Sequence, residues 1–204
     1  MQPLSLKAFN EQLPNALILD FRLQDLFERS FIPGSLFCGL QAPQPYCLEL
    51  IEKDRKLLLI CPLNQEQDCI TLLKNKGFNQ VIGYLEGGIN TWLQSNSPVD
   101  MIISITPEEF LADLPFLTET EHVLDIRTPE EHNEAALPNA TLLPLSQITD
   151  LCHTLNTEHT YYIYCSGGYR SMIAASILRK RGFFALKNIY GGYARIAAEQ
   201  KTKV

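Results

Sequence analysis

A thiol, two glycines and a cation lie within six residues of one another in "YCSGGYRSM" (Tyr164–Met172). Cys165 ends an apolar run. Ser166–Tyr169 form a short glycine-rich link, and Arg170 stands at the head of a segment with helical spacing. A thiol is a strong nucleophile only when ionised. Its ordinary pKa is about 8.5, and positive surroundings lower it by one to several units. A glycine-rich link can curl so that its N–H groups face inward, and a helix N-terminus behind it adds to the field. Such a nest holds anions. The pattern therefore predicts an ionised Cys165 cradled by the backbone of Ser166, Gly167, Gly168 and Tyr169, with Arg170 beside it and Ser171 completing the turn. Gly167 and Gly168 are expected to give the backbone the freedom to curl. Arg170 sits at the end of a helix that disfavours cations, which points to an anion nearby.

Other residues that could do chemistry read differently. His122, His132, His153 and His159 lack ligand spacing and no CxxC pair is present, so no metal site and no cofactor are expected. Gly87–Gly88 and Gly191–Gly192 precede no GKS or GKT, so they read as tight turns rather than phosphate loops. Asp125 and Arg127 read as a structural ion pair, with Glu131 on the following turn as a further partner for Arg127. Cys38, Cys47, Cys69 and Cys152 read as ordinary thiols.

The elements that must position Cys165 occur twice. "LILDFRLQDLFERSFIPGS" (Leu17–Ser35) matches "HVLDIRTPEEHNEAALPNA" (His122–Ala140), pairing Asp20 with Asp125 and Pro33 with Pro138 at an offset of 105. "LLLIC" then matches "YIYC", and "GYLEGGINTW" matches "IYGGYARIA", pairing Cys61 with Cys165 and Gly87 with Gly191 at an offset of 104. Four matches in one order argue for two copies of one domain. The polar, Pro-containing "SNSPVDM" marks the boundary, giving domains 1–98 and 99–204. Ser5 and Thr106 sit where helix N-caps belong.

In the second copy, His122–Asp125, Ala140–Leu143, Tyr161–Tyr164 and Leu186–Tyr190 read as strands, with Tyr161–Tyr164 central. Thr128–Asn133 opens a helix through Pro129. Ser146 is expected to cap a helix running through Leu151. Ser171–Arg181 reads as an amphipathic helix ended by Gly182, and Tyr193–Gln200 as a closing one. Alternating strands and helices predict an α/β fold, a parallel sheet covered on both faces. In such sheets sites form where strands end and helices begin, which is where Cys165 lies.

On "LDIRTPEEH…ALPNA", "YCSGGYRS" and "IYGGYARI", and on "LDFRLQDLFERSFIPGS" with "GYLEGGINTW", both halves resemble rhodanese-like domains, each a central parallel sheet flanked by helices. More narrowly, "YCSGGYRSMIAASILRKRGF" and "GYLEGG" resemble the tandem rhodanese portion of metallo-β-lactamase-fold fusions such as persulfide dioxygenase-like proteins. The HxHxDH metal signature of that partner domain is missing from this chain. The resemblance implies that Cys165 carries sulfur as a persulfide, stabilised by the Ser166–Arg170 backbone, with Arg170 helping to hold an anionic donor. It implies a sulfurtransferase that moves sulfane sulfur from thiosulfate or a low-molecular-weight persulfide to a thiol acceptor. The alternative it implies is a non-catalytic persulfide-carrying or docking module for a metallo-β-lactamase-fold partner. Related cysteine phosphatases carry one more residue between Cys and Arg, so the tighter loop here favours sulfur over phosphate. Ser166 stands where many thiosulfate-using relatives carry a basic residue, which suits a persulfide donor at least as well.

The first copy reads as silent. After Cys61 its loop is "CPLNQEQD", with no glycine and with Glu66 where the second copy has Arg170. Pro62 removes an N–H donor, and Glu66 would oppose a thiolate.

Composition bounds the rest. The chain has 204 residues, 46% hydrophobic and 20% charged, with 17 basic against 23 acidic side chains and a net charge of −6. A mildly acidic chain is a poor ligand for nucleic acid or an anionic membrane. No apolar run reaches the roughly 18 residues of a membrane helix. The N-terminus lacks a signal peptide's apolar centre, so reduced thiols and a cytoplasmic location are expected.

Overall fold

Two parallel sheets built on one plan carry the chain. The computed structural model describes residues 2–40 and 46–202. The chain forms two units, Met1–Met101 and Ile102–Val204. The division falls slightly later than the 98/99 boundary expected from sequence. Trp92 Nε1 donates to the Pro98 carbonyl at 2.8 Å, and Phe31 and Asp100 exchange antiparallel backbone bonds at 2.9 Å. These bonds tie the polar connector to the first unit.

In the first unit the strands are β1 (Pro3–Leu4), β2 (Leu17–Asp20), β3 (Leu36–Phe37), β4 (Leu57–Ile60) and β5 (Val81–Leu85), in the spatial order β1-β5-β4-β2-β3. The helices are α1 (Leu6–Gln12), α2 (Gln24–Arg29), α3 (Tyr46–Glu49), α4 (Glu66–Asn75) and α5 (Gly88–Gln94). The second unit has β6 (Ile103–Ile105), β7 (Glu121–Asp125), β8 (Thr141–Leu142), β9 (Thr160–Tyr164) and β10 (Leu186–Ile189), in the order β6-β10-β9-β7-β8. Its helices are α6 (Pro107–Asp113), α7 (Pro129–Glu134), α8 (Ile148–Leu151), α9 (Tyr169–Lys180) and α10 (Gly192–Thr202). Every strand pair in both sheets is parallel.

The order follows from the sequence. β4 ("LLLI") and β9 ("TYYIY") are central, apolar and buried on both faces, as central parallel strands are. The cores correspond position by position. Phe9, Ile18, Ile32, Leu58, Ile60, Leu85 and Trp92 in one unit stand where Phe110, Val123, Leu137, Tyr162, Tyr164, Ile189 and Ile196 stand in the other. Helix starts are written locally. Ser5 Oγ accepts from the Ala8 amide at 3.3 Å. Thr106 and Thr128 form capping boxes with Glu109 and Glu131, each satisfying amide donors that the helix leaves unpaired.

Two details depart from the sequence reading. Ser146 does not cap a helix: Leu145–Gln147 form a 3-10 turn after Pro144, and α8 starts at Ile148 without a side-chain cap. α9 is not amphipathic over its first two turns. Ser171–Leu178 are all buried, because β9 and β10 cover one side of the helix while α8 and the Leu145–Gln147 turn cover another.

Candidate active site

Cys165 follows β9 directly, and the link Ser166–Gly168 leads into α9. The Gly168 amide donates to Cys165 Sγ at 3.1 Å. Gly168 has φ +94° and is the N-cap of α9. This left-handed conformation suits glycine and strains residues with a Cβ. Gly167 keeps ordinary backbone angles, and a Cβ there would meet no atom within 4 Å. The freedom expected of both glycines is thus used at Gly168 alone.

The other loop peptides are aimed from behind. The Cys165 carbonyl accepts from the Tyr193 amide at 2.7 Å, and the Ser166 carbonyl from the Ala194 amide at 3.1 Å. Both donors lie in the first turn of α10. In a trans peptide the N–H points opposite to the C=O, so these bonds turn the Ser166 and Gly167 N–H groups away from α10. The approach is close enough to exclude a side chain. A Cβ on Gly192 would lie 2.3 Å from the Cys165 carbonyl oxygen and 2.9 Å from the Gly168 nitrogen. Ser171 braces the turn from inside rather than facing the sulfur: its buried Oγ donates to the Gly168 carbonyl at 3.0 Å and pairs with Asn188 Oδ1 at 2.7 Å. Tyr169 is the first residue of α9 and is partly buried. Cys165 is 1% exposed, while Ser166 and Gly167 are exposed at the rim above it.

The anion that Arg170 implied is Glu131. Its two carboxylate oxygens accept from Arg170 Nη1 and Nη2 at 2.6 and 2.7 Å. The Arg170 guanidinium beside Glu131 holds that carboxyl below the usual range. Arg127 pairs with Asp125 at 2.6 Å, while Glu131, expected as its further partner, bonds Arg170. Arg127 Nη2 also donates to the Ala135 carbonyl at 2.6 Å. Asp125 Oδ2 accepts further bonds from Tyr164 Oη at 2.8 Å and pairs with His132 Nδ1 at 2.9 Å. Burial works against the Asp125 carboxylate, but the Arg127, His132 and Tyr164 bonds outweigh it and hold its pKa below the ordinary value. Arg127 lies over the Tyr193 ring at 4.3 Å, linking this network to the first turn of α10.

Sequence reasoning missed Glu131 as the partner of Arg170, the Tyr164 hydroxyl, and the Gly192–Ala194 turn. The Thr-x-x-Glu capping spacing marked Glu131 as a helix-start residue but not as a partner from across the fold. The double glycine marked a turn without saying what packs on it.

In the first unit the same frame lacks the cradle. Asn64 takes the left-handed place of Gly168, with φ +63°. Its amide is drawn to Glu66 Oε1 at 3.3 Å. Cys61 hydrogen-bonds with Cys69. That bond, burial and the negative charges of Glu66 and Asp20 push its thiol far above the ordinary range. Asp20 lacks the extra donors of Asp125. Burial raises its pKa, and Arg22 offsets this only in part. Among the described residues, no group of three His, Cys, Asp or Glu side chains is placed to hold a metal, and no helix is long and apolar enough to cross a membrane.

A family model described as "Rhodanese-like domain" matches residues 5–95 and again 106–199. An uncharacterized protein of Bacillus subtilis, YqhL, is 31% identical over 100 residues, spanning 49% of this chain and 76% of that protein. A sulfurtransferase of Allochromatium vinosum is 36% identical over 78 residues, spanning 37% of this chain and 73% of that protein. Among solved structures, a rhodanese-like domain protein of Staphylococcus aureus is 33% identical, with a TM-score of 0.44, covering 47% of this chain and 91% of that one. None of these relatives is described as a metallo-β-lactamase fusion, and they lend that narrower resemblance no support.

Proposed function

The chain belongs to the rhodanese-like domain family in both of its halves, and from that premise we infer that it moves sulfane sulfur through a persulfide on Cys165. The Cys165 thiolate attacks the outer sulfur of a donor. A Cys165 Sγ–S bond forms, the donor's S–S bond breaks, and sulfite or a thiol leaves with the bonding electrons. A thiol acceptor then attacks the outer sulfur and restores the Cys165 thiolate. The observation that carries this reading is the Gly168 N–H on Cys165 Sγ at 3.1 Å, beside loop peptides whose carbonyls are held by α10. Donors fixed in advance stabilise negative charge on sulfur without reorganising during the reaction. The outer sulfur would sit toward the exposed Ser166–Gly167 rim, and Arg170 would draw an anionic donor there in exchange for part of its bond to Glu131. The first domain is taken as catalytically silent, since the Asn64 amide serves Glu66 rather than Cys61.

Intact mass after treatment with thiosulfate and, separately, with glutathione persulfide tests the proposal. The expected result is a gain of one sulfur that persists in Cys61→Ser and disappears in Cys165→Ser, with turnover lost in the latter. A sulfur gain without turnover to any small thiol would instead favour the persulfide-delivery role toward a metallo-β-lactamase-fold partner. No gain in the wild-type chain would sink both.

A further inference from the structure

The first domain carries a cleft over Cys61 whose chemistry differs from that of the matching residues in the second. A pocket of about 400 Å³ opens over Cys61 at the loops following β2, β4 and β5. Its walls include Leu23, Leu26, Leu63 and Leu93, with Arg29 at the rim. The repeat assigns each a counterpart. Two pairs of bonds fix the register around β2 and β7: Arg22 Nη2 to the Ser30 carbonyl matches Arg127 Nη2 to that of Ala135, and Leu40 N to the Phe21 carbonyl matches Leu145 N to that of Ile126. In this register Leu23 and Leu26 replace Thr128 and Glu131. Leu63 replaces Gly167, Leu93 replaces Ala197, and Arg29 replaces Glu134. Polar or small positions have become leucine, and an acid has become a base, all around one cavity.

The leucines are not buried by the change. Leu23, Leu26, Leu63 and Leu93 are 47%, 44%, 64% and 41% exposed. Single exposed leucines are ordinary, but four gathered on one concave surface mark a binding site. The Arg29 side chain is exposed and makes no hydrogen bond or ion pair among the described residues. The floor is a thiol rather than a charge. Largely apolar walls, a thiol floor, and Arg29 at the rim, unpaired among the described residues while the other lining arginine, Arg22, is paired with Asp20, complement a molecule with an aliphatic body and an anionic head.

We propose that the first domain binds a small organic anion of this kind, its aliphatic part against Leu23, Leu26, Leu63 and Leu93 and its charge at Arg29. The site is independent of sulfur transfer at Cys165.

Isothermal titration of the full chain with decanoate tests this. Saturable one-to-one binding is expected, weakened about fivefold by Arg29→Gln and more than tenfold by Leu26→Glu, which restores the residue type of the second copy. Leu26→Met and Cys165→Ser should leave the affinity unchanged. Sulfur transfer by Arg29→Gln and Leu26→Glu should equal that of the wild type, which certifies that these variants are folded. The proposal is overturned if decanoate gives no saturable binding, or if decylammonium binds as tightly. It is equally overturned if light scattering finds a dimer that Leu26→Glu dissolves, because the leucines would then be covered by a second copy of the chain.

Discussion

Replacing Gly192 with alanine tests whether α10 sets the cradle. The added Cβ would lie 2.3 Å from the Cys165 carbonyl oxygen and 2.9 Å from both the Gly168 nitrogen and the Ser166 oxygen. Carbon and carbonyl oxygen do not approach much below 3 Å, so loop and helix must part by at least ~0.7 Å. The displaced peptides are those that α10 holds, next to the Gly168 amide that donates to Cys165 Sγ. A misplacement approaching 1 Å in positioned groups costs about 10²-fold in rate, equivalent to ~2.7 kcal/mol of transition-state stabilisation. Residue 192 also has φ +58°, so alanine adds about 1 kcal/mol of backbone strain to the folded state. The duplicated fold supplies the control. Gly88 occupies the equivalent place with φ +60°, but a Cβ there would stand 3.3 Å from the Cys61 carbonyl. Gly88→Ala therefore carries the same strain with little clash. We expect both variants to lose a few degrees of thermal stability and only Gly192→Ala to lose about 10²-fold in kcat/KM for sulfur transfer. The rate of Cys165 alkylation at a fixed pH, followed by mass spectrometry, should change in Gly192→Ala alone. Sulfur transfer by Gly192→Ala within threefold of the wild type would refute the reasoning.

Other expectations follow from the same geometry. Gly168→Ala should lower sulfur transfer strongly because φ is +94° and its Cβ would meet the Gly191 nitrogen at 3.1 Å, whereas Gly167→Ala, facing open space, should stay within a few-fold; steady-state kinetics of the two variants checks the ranking. Glu131→Gln keeps a residue able to complete the Thr128 capping box but releases the Arg170 guanidinium, so the KM for thiosulfate should fall several-fold, and a rise would tell against Arg170 as an anion holder. Tyr164→Phe removes the bond to Asp125 and the longer one accepted from the Leu137 amide, and should cost the second domain about 1 kcal/mol or more. The Asp125 pKa is depressed in the folded state, so its contribution is present above the unfolded value of about 3.9 and is lost as pH falls through the folded value; Tyr164→Phe should move acid unfolding of the second domain to higher pH while first-domain amides, followed by hydrogen exchange, keep their profile.

What the sequence disclosed and what it withheld divide along physical lines. Cys165, the repeat, the central tyrosine strand and the Thr106 cap are local signals, carried by residue type over a few positions. The partner of Arg170 is not local. Glu131 lies 39 positions away, and helix spacing offered it to Arg127 instead. The buried faces of α9 were hidden for a similar reason: its cover comes from α8 and the Leu145–Gln147 turn, which the helix's own pattern does not encode. Gly167 and Gly168 look equivalent as letters, and only the backbone path separates the one that needs φ > 0. Ser146 misled because Pro144 had already committed the chain to a 3-10 turn.

The matched cores carry a consequence for how the molecule assembles itself. Two sheets with the same strand order in one polypeptide invite the wrong partner during synthesis, since β4 runs in the same direction as β9 and is shorter by a single residue. Tyr162 and Tyr164 guard against the reverse exchange. Their phenol rings are larger than the Leu58 and Ile60 side chains that fill the matching places in the first core. Forcing the extra atoms into the smaller places costs about 1–3 kcal/mol, so ring size acts as a molecular address that sends the strand home to its own half.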